Sequence, residues 1–327
     1  MTGEKVKNKT ILNRRDFLKL GGTGLAGAAL LGVAGCGGGG GAGGGDSGGG
    51  PSASVGSKKF TEQILLGEMY AQAFEDEGYS VKRELNLGSE QVMDKSLQDG
   101  TIDVYPEYTG TAYVAILKKP PESYPKAAGE TYKQVAEFYK NRKDTPMQML
   151  KPAPFNNSYG ISMLTEEANK LGIETLSDLA EKSDQLVFSS YSEFQNRSDG
   201  YPNMKENYPK LDFKEIKIVN ALGIRYKALA EGEADVGIGY TTDGQLASPK
   251  LKVIEDTKTI WPIYEPAPVI TQEFLDKNKD AKKILDEVSA SLNADKMRAL
   301  NGAVDLEQED YEDVARQHLE EAGVIGE

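Results

Sequence analysis

Residues 95–110 read KSLQDGTIDVYPEYTG, and residues 227–242 read KALAEGEADVGIGYTT. The two stretches share seven of sixteen positions at an offset of 132. In each stretch a helical pattern ends at a glycine, a short hydrophobic strand follows, and a tyrosine comes just after the strand. Such a match predicts an internal duplication. We therefore expect two similar lobes, with Tyr108 and Tyr240 in equivalent places.

The sequence around the repeated stretch supports the duplication and indicates the fold class. The same offset places Val55 on Val187, Ser57 on Ser189, Gln63 on Gln195 and segment 81–87 on segment 213–219. Hydrophobic periodicity predicts strands at 53–57, 81–87 and 102–105, and helices at 61–77 and 90–99. Alternating strands and helices predict an α/β fold in which helices pack on a largely parallel sheet.

The position of the two tyrosines has a functional consequence. In open α/β sheets, ligands bind beyond the carboxyl ends of the strands. Two lobes that face each other would therefore present Tyr108 and Tyr240 to a shared cleft. A single tyrosine in such a place often serves only to pack the core, but a matched pair in both repeats favours a binding role.

The N-terminal residues predict export and lipid attachment. Residues 14–19, RRDFLK, match the twin-arginine export pattern, and residues 33–36, VAGC, match a lipobox. Residues 20–34 are apolar but interrupted by five glycines, whereas a transmembrane helix needs about 20 mostly apolar residues. We therefore predict a twin-arginine lipoprotein signal peptide at 1–35 and lipidation of Cys36. This would anchor an extracytoplasmic protein to the outer face of the cytoplasmic membrane.

The mature chain that follows is acidic and poor in cysteine. Segment 36–54 is dominated by glycine and cannot bury a core, so we expect a lipidated, flexible tether. The formal net charge is −13 for the full chain and −17 without residues 1–35, which argues against nucleic acid as a partner. Cys36 is the only cysteine, which excludes an internal disulfide, a CxxC metal site and a cysteine nucleophile from the mature fold. We expect no cofactor and no metal.

Five motifs carry a resemblance to a known family: SKKFTEQ at 57–63, NLGS at 86–89, YPEYTGTAY at 105–113, YTTD at 240–243 and MRALN at 297–301. With these motifs in this order, the sequence resembles the substrate-binding proteins of osmoprotectant ABC transporters, which bind glycine betaine, carnitine, choline or proline betaine. The resemblance covers residues 55–325. It implies a type II periplasmic-binding-protein (Venus flytrap) fold, in which two crossover segments join two α/β lobes. The implied first lobe is 55–155 plus 264–327, and the implied second lobe is 156–263.

The resemblance also implies a set of binding residues. A quaternary ammonium group has no N–H to donate and carries a diffuse positive charge. Aromatic faces attract such a cation by about 0.5 to 2 kcal/mol each. The family uses a cage of tyrosines, and the matching positions here are Tyr108, Tyr159, Tyr240 and Tyr264.

A betaine or carnitine also carries a carboxylate, which requires fixed donors. The family's counterparts are Lys58, Thr111 and Arg197. Choline-restricted relatives tend to carry an acid at the position of Thr111, so this threonine favours carboxylate-bearing ligands. The resemblance implies that ligand binding favours a closed form of the two lobes, and that a partner ABC permease recognises this closed form. We expect a monomer without catalytic residues.

Two other functions stay open at this point. The first is an extracytoplasmic enzyme acting on a small amine or betaine, although no HExxH or GxSxG motif is present. The only histidine, His318, is expected on a solvated helix face. The second alternative is a solute sensor that acts with a partner and without transport. Trp261, the only tryptophan, is expected to pack in the second crossover.

Overall fold

The structure, a computed structural model, describes residues 50–127 and 129–326. The predicted signal peptide, Cys36 and most of the predicted tether therefore lie outside the described residues. The strands are β1 (Ser52–Lys58), β2 (Ser80–Gly88), β3 (Val104–Tyr108), β4 (Met147–Met149), β5 (Tyr159–Leu164), β6 (Val187–Ser190), β7 (Glu215–Ile218), β8 (Val236–Tyr240), β9 (Leu251–Val253) and β10 (Pro266–Thr271).

The strands alternate with helices along most of the chain. The α-helices are α1 (Thr61–Asp76), α2 (Glu90–Gln98), α3 (Thr109–Thr111), α4 (Glu130–Lys140), α5 (Thr165–Leu171), α6 (Leu176–Lys182), α7 (Ser192–Asn196), α8 (Tyr201–Asn207), α9 (Leu222–Ala230), α10 (Gln272–Lys277), α11 (Ala281–Ser291), α12 (Ala294–Asp305) and α13 (Tyr311–Glu321). A π-helical turn lies at Ala112–Ile116, and 3-10 turns lie at Pro121–Ser123, Ser183–Gln185 and Gly244–Ala247.

Within the described ranges the strands form two five-stranded sheets, ordered β2-β1-β3-β10-β4 in sheet I and β7-β6-β8-β5-β9 in sheet II. In sheet I, β1 runs parallel to β2 and β3, whereas β10 runs antiparallel to β3 and β4. In sheet II, β6 runs parallel to β7 and β8, whereas β5 runs antiparallel to β8 and β9. Four strands of each sheet therefore run in one direction, as a largely parallel sheet requires, and only β10 in sheet I and β5 in sheet II run against the others. The reason is that β5 and β10 each begin at the edge where the chain arrives from the opposite sheet.

The chain passes between the sheets twice. It runs from β4 through residues 150–158 to β5, and it returns from β9 through residues 254–265 to β10. We call the part of the chain built on sheet I, with α10 to α13, the first lobe, and the part built on sheet II the second lobe. The predicted boundaries at 155/156 and 263/264 fall within these two crossovers.

The positions of the elements confirm the duplication. Strands β3 and β8, and likewise helices α2 and α9, begin and end 132 residues apart. Both helices end before a glycine in the left-handed region, with φ of 68° at Gly100 and 70° at Gly232, a conformation that glycine adopts without strain. Tyr108 and Tyr240 were predicted to come just after their strands. They are instead the last residues of β3 and β8, because both residues continue the sheet pairing.

The two lobes differ at the segment that corresponds to α1. Helix α1 is continuous, whereas its second-lobe counterpart is split into α7 and α8 by residues 197–200. The offset of 132 matches Arg197 to Leu65, which is fully buried within α1. The break in the second lobe therefore places an arginine where the first lobe has a core leucine.

The core of the first lobe lies where α1 meets the C-terminal helices. Leu65, Met69 and Phe74 of α1 pack in one cluster with residues of α11 and α13. His318 of α13 is only 6% exposed, and its Nε2 lies 3.0 Å from the Ser291 hydroxyl. Burial lowers the pKa of His318. The expectation of a solvated histidine is wrong because α13 packs against α1, a long-range contact that the local pattern of polar residues does not indicate.

Residues 50–127 and 129–326 contain neither a membrane-spanning helix nor a cluster of metal ligands. No helix there has the length and apolar composition needed to cross a membrane. In the same part of the chain, no group of three or more His, Cys, Asp or Glu side chains is placed to hold a metal ion.

Candidate binding cleft

A cleft of about 1040 Å³ lies between the two lobes, at the edge where β3 and β8 end. Side chains from both lobes line it. All seven residues that were predicted to bind a ligand are among them: Lys58, Tyr108, Thr111, Tyr159, Arg197, Tyr240 and Tyr264. The structure therefore brings these residues to one place, and their binding roles stay a prediction. The predicted lipidation site, Cys36, lies outside the described residues.

Strand pairing explains why the tyrosines converge. Tyr240 ends β8 and pairs directly with Tyr159, the first residue of β5. Their ring centroids are 6.0 Å apart and their planes differ by 23°. Tyr264 lies two residues before β10, and its ring meets that of Tyr159 edge-on at 5.8 Å. Tyr108 ends β3 in the first lobe, so both lobes supply aromatic rings to the cleft.

Phe60 and Tyr191 also line the cleft and were not predicted. The ring of Phe60 stacks on Tyr108 at 6.1 Å and on Tyr240 at 5.7 Å, so it connects tyrosines of the two lobes. The hydroxyl of Tyr191 lies 2.8 Å from that of Tyr240. A sequence signal existed for each: Phe60 lies in the SKKFTEQ motif, and Tyr191 directly follows β6, at the same edge as the ends of β3 and β8.

Burial keeps the tyrosines of the cleft in their neutral form. It raises the pKa of Tyr159 and of Tyr264 well above the ordinary value, and it also raises the pKa of Tyr240. A neutral phenol ring presents an electron-rich face that attracts cations. The cleft is therefore suited to a cation that carries apolar groups.

Asp243 fixes the end of β8. Its Oδ2 accepts a hydrogen bond from the backbone N–H of Tyr240 at 2.7 Å and from the hydroxyl of Tyr226 at 2.8 Å. Burial raises the pKa of Asp243 to about 7. Gly239 leaves the space for this arrangement, because a Cβ at that position would clash with both oxygens. The position of Tyr240 is thus set by its hydrogen bond to Asp243 as well as by its pairing with β5.

Lys58 is paired within the first lobe. Its Nζ donates to Oε1 of Glu107 at 2.5 Å and lies 4.9 Å from the ring centroid of Tyr108. Glu107 is fully buried and also accepts from the hydroxyl of Tyr105 at 2.9 Å and the N–H of Tyr108 at 2.6 Å. A ligand carboxylate would therefore share the ammonium of Lys58 with Glu107.

Arg197 is paired with two carboxylates. Its Nε and Nη2 donate to Asp199 at 2.9 and 2.8 Å, and its Nη1 donates to Oε1 of Glu90 at 2.8 Å. These bonds use three of the five N–H groups of the guanidinium. The carboxylate of Asp199 also accepts from the hydroxyl of Tyr264 at 2.8 Å, and the backbone carbonyl of Asp199 accepts from the indole N–H of Trp261 at 2.9 Å. Trp261 packs in the core of the second lobe, as predicted.

Glu62 is buried beside the cleft and joins four segments of the chain. Its Oε1 accepts from the hydroxyl of Tyr108 at 2.6 Å and from Nδ2 of Asn157 at 2.8 Å. Its Oε2 accepts from the hydroxyl of Thr242 at 2.5 Å and from Nδ2 of Asn301 at 3.1 Å. Burial raises the pKa of Glu62, and the four hydrogen bonds oppose that shift. One carboxylate thus links a cleft tyrosine, the first crossover, the second lobe and α12.

Residues 52–321 match the OpuAC family, the substrate-binding domain of ABC-type glycine betaine transport systems. The glycine-betaine-binding protein of Pseudomonas aeruginosa is 34% identical over 82% of this chain and 86% of its own length. The ergothioneine transport permease/ergothioneine binding protein of Helicobacter pylori is 31% identical over 83% of this chain and 47% of its own length. A crystal structure of a glycine betaine/carnitine/choline ABC transporter has a TM-score of 0.70 at 26% identity, covering 84% of this chain and 98% of that one.

A two-lobed α/β fold with an aromatic cleft between its lobes defines a solute-binding protein of the type II periplasmic class. The chain belongs to the OpuAC family of substrate-binding domains of ABC-type glycine betaine transport systems. The predicted fold class and the predicted family are therefore confirmed. The protein is an extracytoplasmic substrate-binding component of an ABC transporter and not an enzyme, which removes the first alternative function.

Proposed function

We propose that this protein captures a quaternary-ammonium compatible solute, such as glycine betaine, proline betaine, carnitine or choline, and delivers it to an ABC permease for osmoprotectant uptake. The observation that carries the proposal is the convergence of aromatic rings from both lobes on one cleft. Each ring attracts a trimethylammonium group by about 0.5 to 2 kcal/mol, which hydrogen-bond acceptors cannot replace because the group has no N–H. The proposed cage consists of Tyr108, Tyr159, Tyr240 and Tyr264.

Lys58, Thr111 and Arg197 are the proposed partners of a ligand carboxylate. All three line the same cleft as the tyrosines. Arg197 keeps two N–H groups beyond those bound to Asp199 and Glu90, and Thr111 has a neutral hydroxyl that does not repel an anion. Ergothioneine, named for the Helicobacter relative, combines a trimethylammonium group with a carboxylate and so belongs to the same ligand class.

The proposed capture uses both lobes and ends at a permease. Hydrogen bonds from Arg197 to Glu90 and from Thr242 to Glu62 join the lobes, so a ligand that contacts both lobes favours the closed form. The name of the Helicobacter relative combines a permease and a binding protein, which supports a permease as the partner. Because one chain supplies every proposed binding residue, we also propose that the protein acts as a monomer.

We further propose that a lipid on Cys36 anchors the protein to the outer face of the cytoplasmic membrane after twin-arginine export. The order of the RRDFLK and VAGC motifs supports this proposal. The glycine-rich tether at 36–54 supports it as well, because a coil of about 18 residues averages about 25 Å from end to end. Such a tether would keep the two lobes close to the permease.

The experiment that tests this function is calorimetric titration with glycine betaine and with choline, which share a trimethylammonium group but differ at the other end. The wild-type protein should bind both. Lys58→Ala and Arg197→Ala should each weaken glycine betaine by about 10- to 100-fold, the cost of a charge-assisted hydrogen bond. Choline should be affected far less, because it offers no carboxylate to either side chain.

Lys210→Ala is a suitable control, because Lys210 is an exposed cation of the second lobe that pairs with Glu181 and does not line the cleft. It should leave both affinities unchanged. Equal losses of glycine betaine and choline in the Lys58 or Arg197 variant would count against the carboxylate assignment. Failure of the wild-type protein to bind either ligand would contradict the proposed function.

A further inference from the structure

The ion pair between Glu90 and Arg197 crosses the cleft. Glu90 is the first residue of α2 in the first lobe, and Arg197 lies in the break between α7 and α8 of the second lobe. The Nη1 of Arg197 lies 2.8 Å from Oε1 of Glu90, and the two side chains are only 19% and 15% exposed. Both residues line the cleft. The pair is therefore a contact between the lobes inside the binding cavity.

The two carboxylates on Arg197 have different roles. Asp199 belongs to the same lobe as Arg197 and holds the guanidinium through two parallel bonds, so it fixes the orientation of the group whatever the angle between the lobes. Glu90 reaches the same guanidinium from the opposite lobe. Helix α9, the counterpart of α2, begins with Leu222, so the duplicated position in the second lobe carries no acid. The acid at the start of α2 is thus not repeated at the matched position of the second lobe.

We propose that Glu90 is a specificity-determining residue that competes with a ligand carboxylate for Arg197. This inference rests on the proposed function. A zwitterionic betaine that brings its carboxylate to Arg197 must place it beside that of Glu90, and the two negative charges repel. A ligand without a carboxylate leaves the pair between Glu90 and Arg197 intact, and the pair then helps to hold the lobes together around it. Glu90 therefore shifts the preference of the cleft away from betaines and towards choline-like cations.

Glu90→Gln tests this inference because it keeps the shape of the side chain and an oxygen for Arg197 but removes the charge. We expect glycine betaine to bind about five- to tenfold more tightly to the variant and choline to bind about threefold or more weakly, as judged by calorimetry. Glu130→Gln is the matched control: Glu130 is the first residue of α4 in the same lobe and pairs with Lys133, but it does not line the cleft. It should change neither affinity.

A double-mutant cycle shows whether Glu90 acts through Arg197. In an Arg197→Ala background, adding Glu90→Gln should leave the ratio of the two affinities unchanged. Equal changes for both ligands in the single variant, or no change in either, would overturn the role of Glu90 even when the wild-type protein binds both ligands as proposed. A wild-type protein that binds neither ligand would overturn the proposed function and this inference with it.

Discussion

Replacing Tyr240 with alanine is expected to reduce the affinity for glycine betaine by about 100-fold or more, because the loss removes one face of the cage and the support of its neighbours. The ring of Tyr240 stacks on both Tyr159 and Phe60, and its hydroxyl contacts that of Tyr191. Without it, Phe60 of the first lobe loses its stacking partner in the second lobe. Choline should lose affinity by a similar factor, since the cage acts on the trimethylammonium group that both ligands share.

Tyr240→Phe separates the ring from the hydroxyl. It keeps the aromatic face and loses only the contact with Tyr191, so we expect an affinity within about threefold of wild type. Calorimetric titration of both variants gives the comparison directly. Wild-type affinity in Tyr240→Ala would show that the cage assignment is wrong.

The second large effect is expected at Glu62. In Glu62→Gln, one carboxylate oxygen becomes an NH₂ group that points at two hydrogen-bond donors, either Tyr108 and Asn157 or Thr242 and Asn301. Each buried donor left without an acceptor costs about 1 to 3 kcal/mol. We expect the melting temperature to fall by about 5 to 10 °C. We also expect weaker binding of every ligand by one common factor, because Tyr108 and the contact between the lobes are both disturbed.

Glu68→Gln provides the control for this effect. Glu68 also lies on α1 and is also buried, but it accepts hydrogen bonds from Gln72 and Arg83 and does not line the cleft. It should lower the melting temperature and leave ligand affinity at room temperature unchanged. If Glu62→Gln behaved in the same way, its hydrogen bonds would serve stability alone and not the geometry of the cleft.

Much of the fold could be predicted from the sequence because the two repeats match at a constant offset of 132 residues. Helices α2 and α9, and strands β3 and β8, occupy matched positions, and their periodicity and terminal glycines are local signals. The direction of β5 and β10 could not be predicted in the same way. It depends on where the two crossovers enter each sheet, which is a property of the assembled fold.

The seven residues predicted from the sequence line one cleft, but the contacts of its charged residues could not be predicted. Lys58 and Glu107 are 49 residues apart, and Arg197 and Glu90 are 107 residues apart, so only the folded chain brings each cation to its carboxylate. The resemblance assigned both cations to a ligand carboxylate, whereas in the fold each is also paired with a carboxylate of the chain. Glu62 was missed for the same reason, since its four donors come from four separate segments.

We propose that the cleft recognises the positive charge of a trimethylammonium group through aromatic faces. The most direct test is a calorimetric comparison of glycine betaine with tert-butylacetate, which has the same shape and the same carboxylate but a neutral carbon in place of nitrogen. We predict that the wild-type protein binds glycine betaine and binds tert-butylacetate at least about 30-fold more weakly, the loss of cation–π attraction from two or more rings. Equal affinity for the two compounds would contradict the account.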